Sequence, residues 1–200
     1  MKDHEDIAEE LAAEHRSLGR AVARIQALPP GDPRRRACLK RTAVTLAGHA
    51  VAVERVLQPA VHRHLPGADQ VAAQSLTDLV RAEEVMKDLE FTDTGSGEFD
   101  PLLRRLQTWL RRHRDHEEAV LLPDLGRAVP PGALDEMGDD VHAVEADTAA
   151  LREAVAHTRR PDVMVRAHTA LTERHPAPPT NDHRPGRAAA PADTEARPAR

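Results

Sequence analysis

The chain has 200 residues, a formal net charge of −5 and an apolar content of 40%, drawn mostly from Ala, Val and Leu, with no Tyr, two Phe and one Trp. That length suits one domain of ordinary size with a tail, and small aliphatic residues favour close helix packing over an aromatic-rich sheet core. Acidic and basic residues are interspersed, so no basic face for nucleic acid is expected; the short run Arg34-Arg35-Arg36 is expected to lie on a solvated helix start. The start, Met1-Lys-Asp-His-Glu-Asp, lacks an apolar signal core, no apolar run approaches membrane-spanning length, and Cys38 has no cysteine partner, which together set the expectation of a soluble, cytoplasmic protein.

Proline and glycine divide the chain into helices. A first helix is expected from about Asp3 to Leu28, with Ile7, Leu11, Leu18, Val22 and Ile25 on one stripe, ended by Pro29-Pro30-Gly31-Asp32-Pro33. Asp32 then caps a second helix, with Pro33 at its first position, that runs to about Leu65 before Pro66-Gly67. A third runs from about Ala68 to Glu90, and Thr92 to Glu98 is a loop. Asp100-Pro101 repeats the cap-and-proline start for a fourth helix ending near Arg127, and after Pro130-Pro131-Gly132 a fifth, more acidic segment spans Ala133 to Arg159. Short connections between long amphipathic helices predict an all-α, antiparallel up-and-down four-helix bundle over residues 1–130, an accessory helical segment over 131–173 packed outside it, and a disordered Pro/Ala/Arg-rich tail over 174–200.

One segment occurs twice. His49-Ala-Val-Ala-Val-Glu54-Arg-Val-Leu-Gln-Pro59 and His113-Arg-Asp-His-Glu-Glu118-Ala-Val-Leu-Leu-Pro123 both read H-x4-E-x-V-L-x-P. In the fourth helix, Leu102, Leu106, Trp109, His113, Glu117 and Val120 follow one another at steps of three and four and so share a face. Thr42, Leu46, His49, Val53 and Val56 do the same in the second helix, and Leu11, His15, Leu18 and Val22 in the first. Three histidines and Glu117 therefore interrupt buried stripes. A single inward histidine is more often a hydrogen-bonded core residue than a ligand, but three with an inward carboxylate leave several polar groups in need of partners, which a shared cation satisfies together. Imidazole nitrogen with carboxylate oxygen suits iron, manganese or zinc.

These residues resemble the hemerythrin-like domains, also called HHE cation-binding domains, over roughly Asp3 to Arg127. The carriers are Ala-Glu14-His15-Arg-Ser-Leu, His49 leading to Leu-Gln-Pro59-Ala-Val, His113-x-x-x-Glu117-Glu118 leading to Leu-Leu-Pro123-Asp-Leu, and Ile-Gln-Ala-Leu-Pro-Pro-Gly-Asp-Pro-Arg between the first two helices. Glu173-Arg-His-Pro-Ala-Pro also looks like the His-Pro-rich end of some bacterial members. The resemblance implies a four-helix bundle holding two non-haem irons through one histidine of the first helix, His-x3-Glu of the second, one or two histidines of the third, and a histidine with a carboxylate of the fourth. It also implies association with oxygen binding, oxygen or nitric oxide sensing, iron handling or redox stress, with dioxygen, nitric oxide or peroxide as the small-molecule partner and no membrane or nucleic acid.

Carried over position by position, His15, His49, His113 and Glu117 match, but the second-helix carboxylate position holds Val53. Glu54, one residue on, is turned by about 100° from the histidine face of an ideal helix and is kept as the nearest carboxylate. The third helix has no histidine between Ala68 and Glu90; the expected position holds Leu79, and Glu83, one turn beyond, is kept as an oxygen donor. The metal set is thus His15, His49, His113 and Glu117, with Glu54 and Glu83 at its margin. One iron ion is expected rather than two, in a binding protein rather than an enzyme. The alternative is a metal-free descendant of the family acting as a structural or interaction module.

Overall fold

The computed structural model describes residues 6–155, 158 and 161–176. Among the described residues eight α-helices follow in chain order: α1 (Ile7–Gln26), α2 (Pro33–Ala52), α3 (Gln58–His64), α4 (Asp69–Phe91), α5 (Phe99–His116), α6 (Leu122–Ala128), α7 (Pro131–Val155) and α8 (Val163–Arg174). Helices α2 and α3 are one rod joined by a π-helical turn, Val53–Leu57, and α5 and α6 are joined likewise by Glu117–Leu121. The α1, α2, α4 and α5 rods form a closed ring in which each touches its two neighbours, so the predicted all-α bundle is the architecture observed. No described helix is long and apolar enough to cross a membrane.

Local chemistry sets the helix starts. Asp6 accepts hydrogen bonds from the amides of Ala8 (2.9 Å) and Glu9 (3.0 Å), so α1 begins at Ile7; the expected start at Asp3 lies outside the described residues. Asp32 caps α2 by accepting from the Arg34 amide at 2.8 Å, with Pro33 at the first helical position. Asp100 does not cap α5, contrary to the Asp-Pro pattern: the helix starts at Phe99, and Asp100 instead pairs with Arg35.

The arginine run is likewise not a solvated surface. Arg35 is 1% exposed, donates to the Thr94 carbonyl at 2.9 Å and stacks over Phe99 at 4.6 Å. Arg36 donates to the carbonyls of Glu90 (2.9 Å), Leu89 (3.3 Å) and Thr92, acceptors at and just past the end of α4. Together they fasten the start of α2 to the α4–α5 connection, and only Arg34 is left exposed.

The doubled sequence motif marks the two π-helical turns. The Gln58 amide donates to the Val53 carbonyl and the Leu122 amide to the Glu117 carbonyl, five residues back in each case. Pro59 and Pro123 follow at once. A proline in a regular α-helix would press its ring on the carbonyl four residues earlier and leave that carbonyl without a donor; one widened turn relieves both problems. It also shifts the register by one residue. The buried positions closing the turns are accordingly Leu57 (0%) and Leu121 (1%), while Val56 is at the edge of burial and Val120 is half-buried. Farther back on α5 the buried stripe is Phe99, Leu103, Leu106, Leu110 and His113, so Leu102 and Trp109 flank the core rather than fill it.

The C-terminal half of helix α2 is apolar on every side, with Ala43, Val44, Leu46, Ala47, Ala50, Val51 and Ala52 all buried. A helix of that kind needs cover on its outer face as well. Helices α7 and α8 supply it, both packing on α2, with α7 also against α1. The segment after Pro131 is therefore two helices joined around Asp162, which sits in the left-handed region at φ 69°. Glu90 of α4 caps α8 from outside by accepting from the Met164 amide at 3.3 Å, and Lys40 donates to the Thr158 carbonyl. The expected end of the fifth segment at Arg159 lies outside the described residues, as does the expected tail from residue 177 onward; Arg174, the expected start of that tail, is the last residue of α8.

Helix α7 seats closely on α2 at Gly48, where an added Cβ would meet Thr148 Cγ2 at 2.7 Å and its Cβ at 3.0 Å. Alanine is favoured over glycine in a helix interior by about 1 kcal/mol, so retention of glycine here reflects packing, not propensity. Gly48→Ala is expected to lower stability by about 1–2 kcal/mol net in chemical denaturation, and adding Thr148→Ala to recover most of that loss. A Gly48→Ala protein more stable than the parent would show that α7 does not seat this closely.

Candidate metal centre

The ring of α1, α2, α4 and α5 brings His15, His49, His113 and Glu117 together, with one ligand-capable atom from each lying within 4.8 Å of the others and all four buried. His15 comes from the middle of α1, His49 from the last turn of α2, His113 from the last turn of α5, and Glu117 from the first residue of the π-helical turn that follows. The three imidazoles stand edge to face, their centroids 4.8, 5.6 and 5.1 Å apart.

Each ring is turned the same way. Nδ1 of His15 lies 2.9 Å from Glu118 Oε1, Nδ1 of His49 lies 2.8 Å from Glu14 Oε2, and Nδ1 of His113 lies 3.1 Å from the Ser75 carbonyl. The Nε2 atoms converge instead. Those of His49 and His113 are 2.9 Å apart, and those of His15 and His113 each lie 3.4 Å from a Glu117 oxygen. Ser75 Oγ donates to Glu117 Oε1 at 2.7 Å, which fixes the carboxylate plane. An imidazole held by an outer acceptor at one nitrogen, with the other nitrogen bare toward a common centre, is how protein metal ligands are oriented.

Two atoms in this centre have no hydrogen-bond partner, His15 Nε2 and Glu117 Oε2. They are 3.4 Å apart but not aligned for a hydrogen bond. A buried polar atom left unpaired costs about 1–3 kcal/mol, so two in contact call for a shared partner. The spacings fit a cation: bonds of about 2.0–2.2 Å at 90° to 110° between ligands place donor atoms about 3.0–3.5 Å apart. The edges of 2.9, 3.4 and 3.4 Å are of that size.

The electrostatics agree. Burial pushes His49 down to about 3 and His113 down to about 4, so both are neutral imidazoles with lone pairs available near neutral pH. Glu117 is opposed by its burial but brought down to about 2 by His113, His15 and His49, which keeps it a carboxylate. His15 is disfavoured as a cation by burial but raised above its ordinary value by Glu117 and Glu118. Glu14 is pushed up to about 8 by burial and then by Glu145, so the Glu14–His49 pair holds a proton between its members near neutral pH.

The two marginal candidates are elsewhere. Glu54 faces away from the centre, as helix geometry requires, and pairs with His168 of α8 at 3.4 Å. Glu83 lies 3.9 Å from Lys87 on its own helix and does not approach the cluster. Both are corrections to the metal set. Val53 (0% exposed) and Leu79 (2%) fill the core where the family pattern has a carboxylate and a histidine. Three residues that the histidine pattern passes over hold the centre in place: Ser75, Glu14 and Glu118. Ser75 lies one turn before Leu79 on the buried face of α4, a small hydroxyl residue in an apolar stripe, and that is its only signal in the sequence.

The hemerythrin HHE cation-binding domain model matches residues 6–125. The chain belongs to that family. A solved structure of a hemerythrin HHE cation binding domain-containing protein from Mycobacterium kansasii superposes with a TM-score of 0.69 at 18% identity, covering 82% of this chain and 99% of that one. At that identity the likeness is one of fold. No curated protein matches the chain. As a member of the family this is a cation-binding protein, and the His15, His49, His113 and Glu117 cluster is its candidate site.

The Glu54–His168 pair gives a pH test of how α8 is held. Their hydrogen bond raises His168 above its ordinary 6.5 and lowers Glu54 below its ordinary 4.5. The raised histidine stabilises the fold fully below 6.5 and loses that effect as pH rises through its folded-state value; the lowered carboxylate acts above 4.5 and fails as pH falls. A double-mutant cycle of Glu54→Ala and His168→Ala should therefore show coupling at pH 6 and none at pH 9, and equal coupling at both would mean the contact is not ionic.

Proposed function

We propose that the protein holds a single non-haem iron ion through His15, His49, His113 and Glu117 and presents it to a small ligand of the dioxygen, nitric oxide or peroxide kind, in a binding or sensing role rather than as an enzyme. The observation that carries the reading is the common orientation of the three imidazoles, each with Nδ1 on an outer acceptor and Nε2 toward the shared centre, where those of His15 and His113 approach Glu117 and that of His49 approaches His113. A nitrogen and oxygen donor set without sulfur suits iron or manganese and leaves coordination positions free. Bound iron supplies a change of oxidation state and an open position for a diatomic or peroxidic ligand.

The residues around the site support access and containment. A cleft of about 230 Å³ between α1 and α5 reaches His15 and His113 past Leu18, Gly19, Val22 and Leu110. Its walls are apolar near the histidines, and Arg111 and Arg114 also line it. Such a passage favours small, weakly solvated molecules. Behind the histidines, Glu14 and Glu118 hold two rings and Ser75 holds the third together with Glu117. A single ion is favoured over two because Val53 and Leu79 offer no donor atom for a second. A cytoplasmic location is part of the same reading.

Protein purified without a His tag and loaded with ferrous iron or manganese should carry close to one ion per chain by elemental analysis. The ion should raise the melting temperature and a chelator should lower it. His49→Gln and His113→Gln should abolish binding while circular dichroism shows the helices retained, and Ser75→Ala should weaken it by roughly 10–100-fold. Absence of an ion after loading would establish the metal-free alternative, and two ions per chain would overturn the mononuclear reading.

A further inference from the structure

A second site lies on the opposite side of α1 from the cleft. Helices α1, α2 and α7 enclose a groove of about 370 Å³ lined by Arg20, Arg24, Arg41 and Arg152, with Cys38 and Glu153 in its wall. Four guanidinium groups thus face one carboxylate, in a chain whose net charge is −5. Among the described residues, Arg20, Arg24 and Arg41 have neither an ion pair nor a side-chain hydrogen bond; other surface arginines such as Arg16, Arg63 and Arg104 are also unpaired, but these three converge with Arg152 on one groove. Arg20 and Arg24 are four apart on α1, a like-charge spacing that weakens a helix. The positive charge is gathered there from three helices and left uncompensated.

We infer that this groove binds a phosphate-bearing small molecule. Guanidinium groups offer forked N–H donors that match the oxygens of a phosphate, and several around one group satisfy a dianion that a single surface arginine does not. Arg152 is oriented by donating to Thr45 Oγ1 at 3.5 Å, so its charge is directed from the α7 side toward α2. The hydroxyls of Ser17, Thr42 and Thr45 line the same wall, and those of Thr42 and Thr45 already donate to the carbonyls of Cys38 and Arg41, leaving their lone pairs to face cations. The volume is in the range of pockets for small organic ligands and exceeds what inorganic phosphate fills, so a phosphate ester or diphosphate with a polar body is the class that fits. The site is separate from the metal centre and does not depend on the ion.

Cys38 is the sole cysteine of the chain and half-buried in the groove wall, which makes it a reporter for the full-length protein. Alkylation of Cys38 by neutral iodoacetamide, followed by mass spectrometry, should slow several-fold with saturating pyrophosphate or a nucleoside diphosphate relative to chloride at equal ionic strength. The same anions should raise the melting temperature. Arg24→Ala and Arg41→Ala, both at exposed positions, should each raise the half-saturating concentration about tenfold, the loss expected for one charge-assisted hydrogen bond. Tighter saturation by the nucleotide than by pyrophosphate would identify an organic phosphate as the ligand, and equal saturation by inorganic phosphate would identify the free ion. Neither protection nor a melting shift beyond chloride, or saturation unchanged in both arginine variants, would overturn the inference.

Discussion

The burial of three imidazoles and a carboxylate at the centre of an aliphatic bundle is the constraint from which the rest of the structure follows. Polar groups in such a core are tolerated only when partnered, and here the partners are arranged in two layers. Glu118, Glu14 and Ser75 take the outer nitrogen of each ring, and Ser75 also fixes one oxygen of Glu117. What is left over points inward: three Nε2 atoms and one carboxylate oxygen, with two of these atoms unpartnered. The outer layer thus does more than satisfy hydrogen bonds; it chooses which face of each histidine is presented to the centre.

Holding that geometry demands that the helices bearing it be fixed in rotation and depth. The two π-helical turns lie directly after His49 and His113 and begin at Val53 and at Glu117, so the same local distortion sits at the same depth in both rods. Proline as the second residue of each lower segment makes the widened turn the cheaper conformation, and the widened turn in turn sets which leucine, Leu57 or Leu121, closes the core beneath the site. On the outer side, α7 presses on Gly48, next to His49, at a separation that admits no side chain. Arg35 and Arg36 lock the far end of α2 to the connection between α4 and α5. The site is therefore supported from below, behind and above by features that carry no metal chemistry themselves.

Much of this was legible in the sequence. Stripes at steps of three and four located the helices and selected His15, His49, His113 and Glu117, because a polar residue within an apolar stripe is conspicuous. Periodicity does not separate Trp109 from Leu110, since both stand within a turn of His113 and of Leu106, and packing against α1 and α4 makes that choice. It does not anticipate a register shift either, which is why Val120 was expected where Leu121 is buried. Arg35 was misplaced for a different reason. Charge predicts exposure unless acceptors are brought to it, and its acceptors, Thr94 and Asp100, lie 59 and 65 residues away. Ser75, Glu14 and Glu118 are ordinary helix residues until the rings they hold are in place.

The comparison between the two copies of the repeated motif bears on nuclearity. Both copies provide a histidine, a π-helical turn and a proline, yet the inward residue at the start of the turn is Glu117 in one and Val53 in the other. A carboxylate at Val53 and an imidazole at Leu79 would line the side of the bundle facing α4 and α2, where the structure instead has tightly packed aliphatic core. Such a core offers no lone pair and solvates a second cation poorly, so the half of the centre that retains donors is also the half that can hold charge. Every donor in the cluster has its own outer partner. That the outer layer is complete around His15, His49, His113 and Glu117, while Val53 and Leu79 are packed aliphatic side chains, is what the proposed mononuclear centre requires.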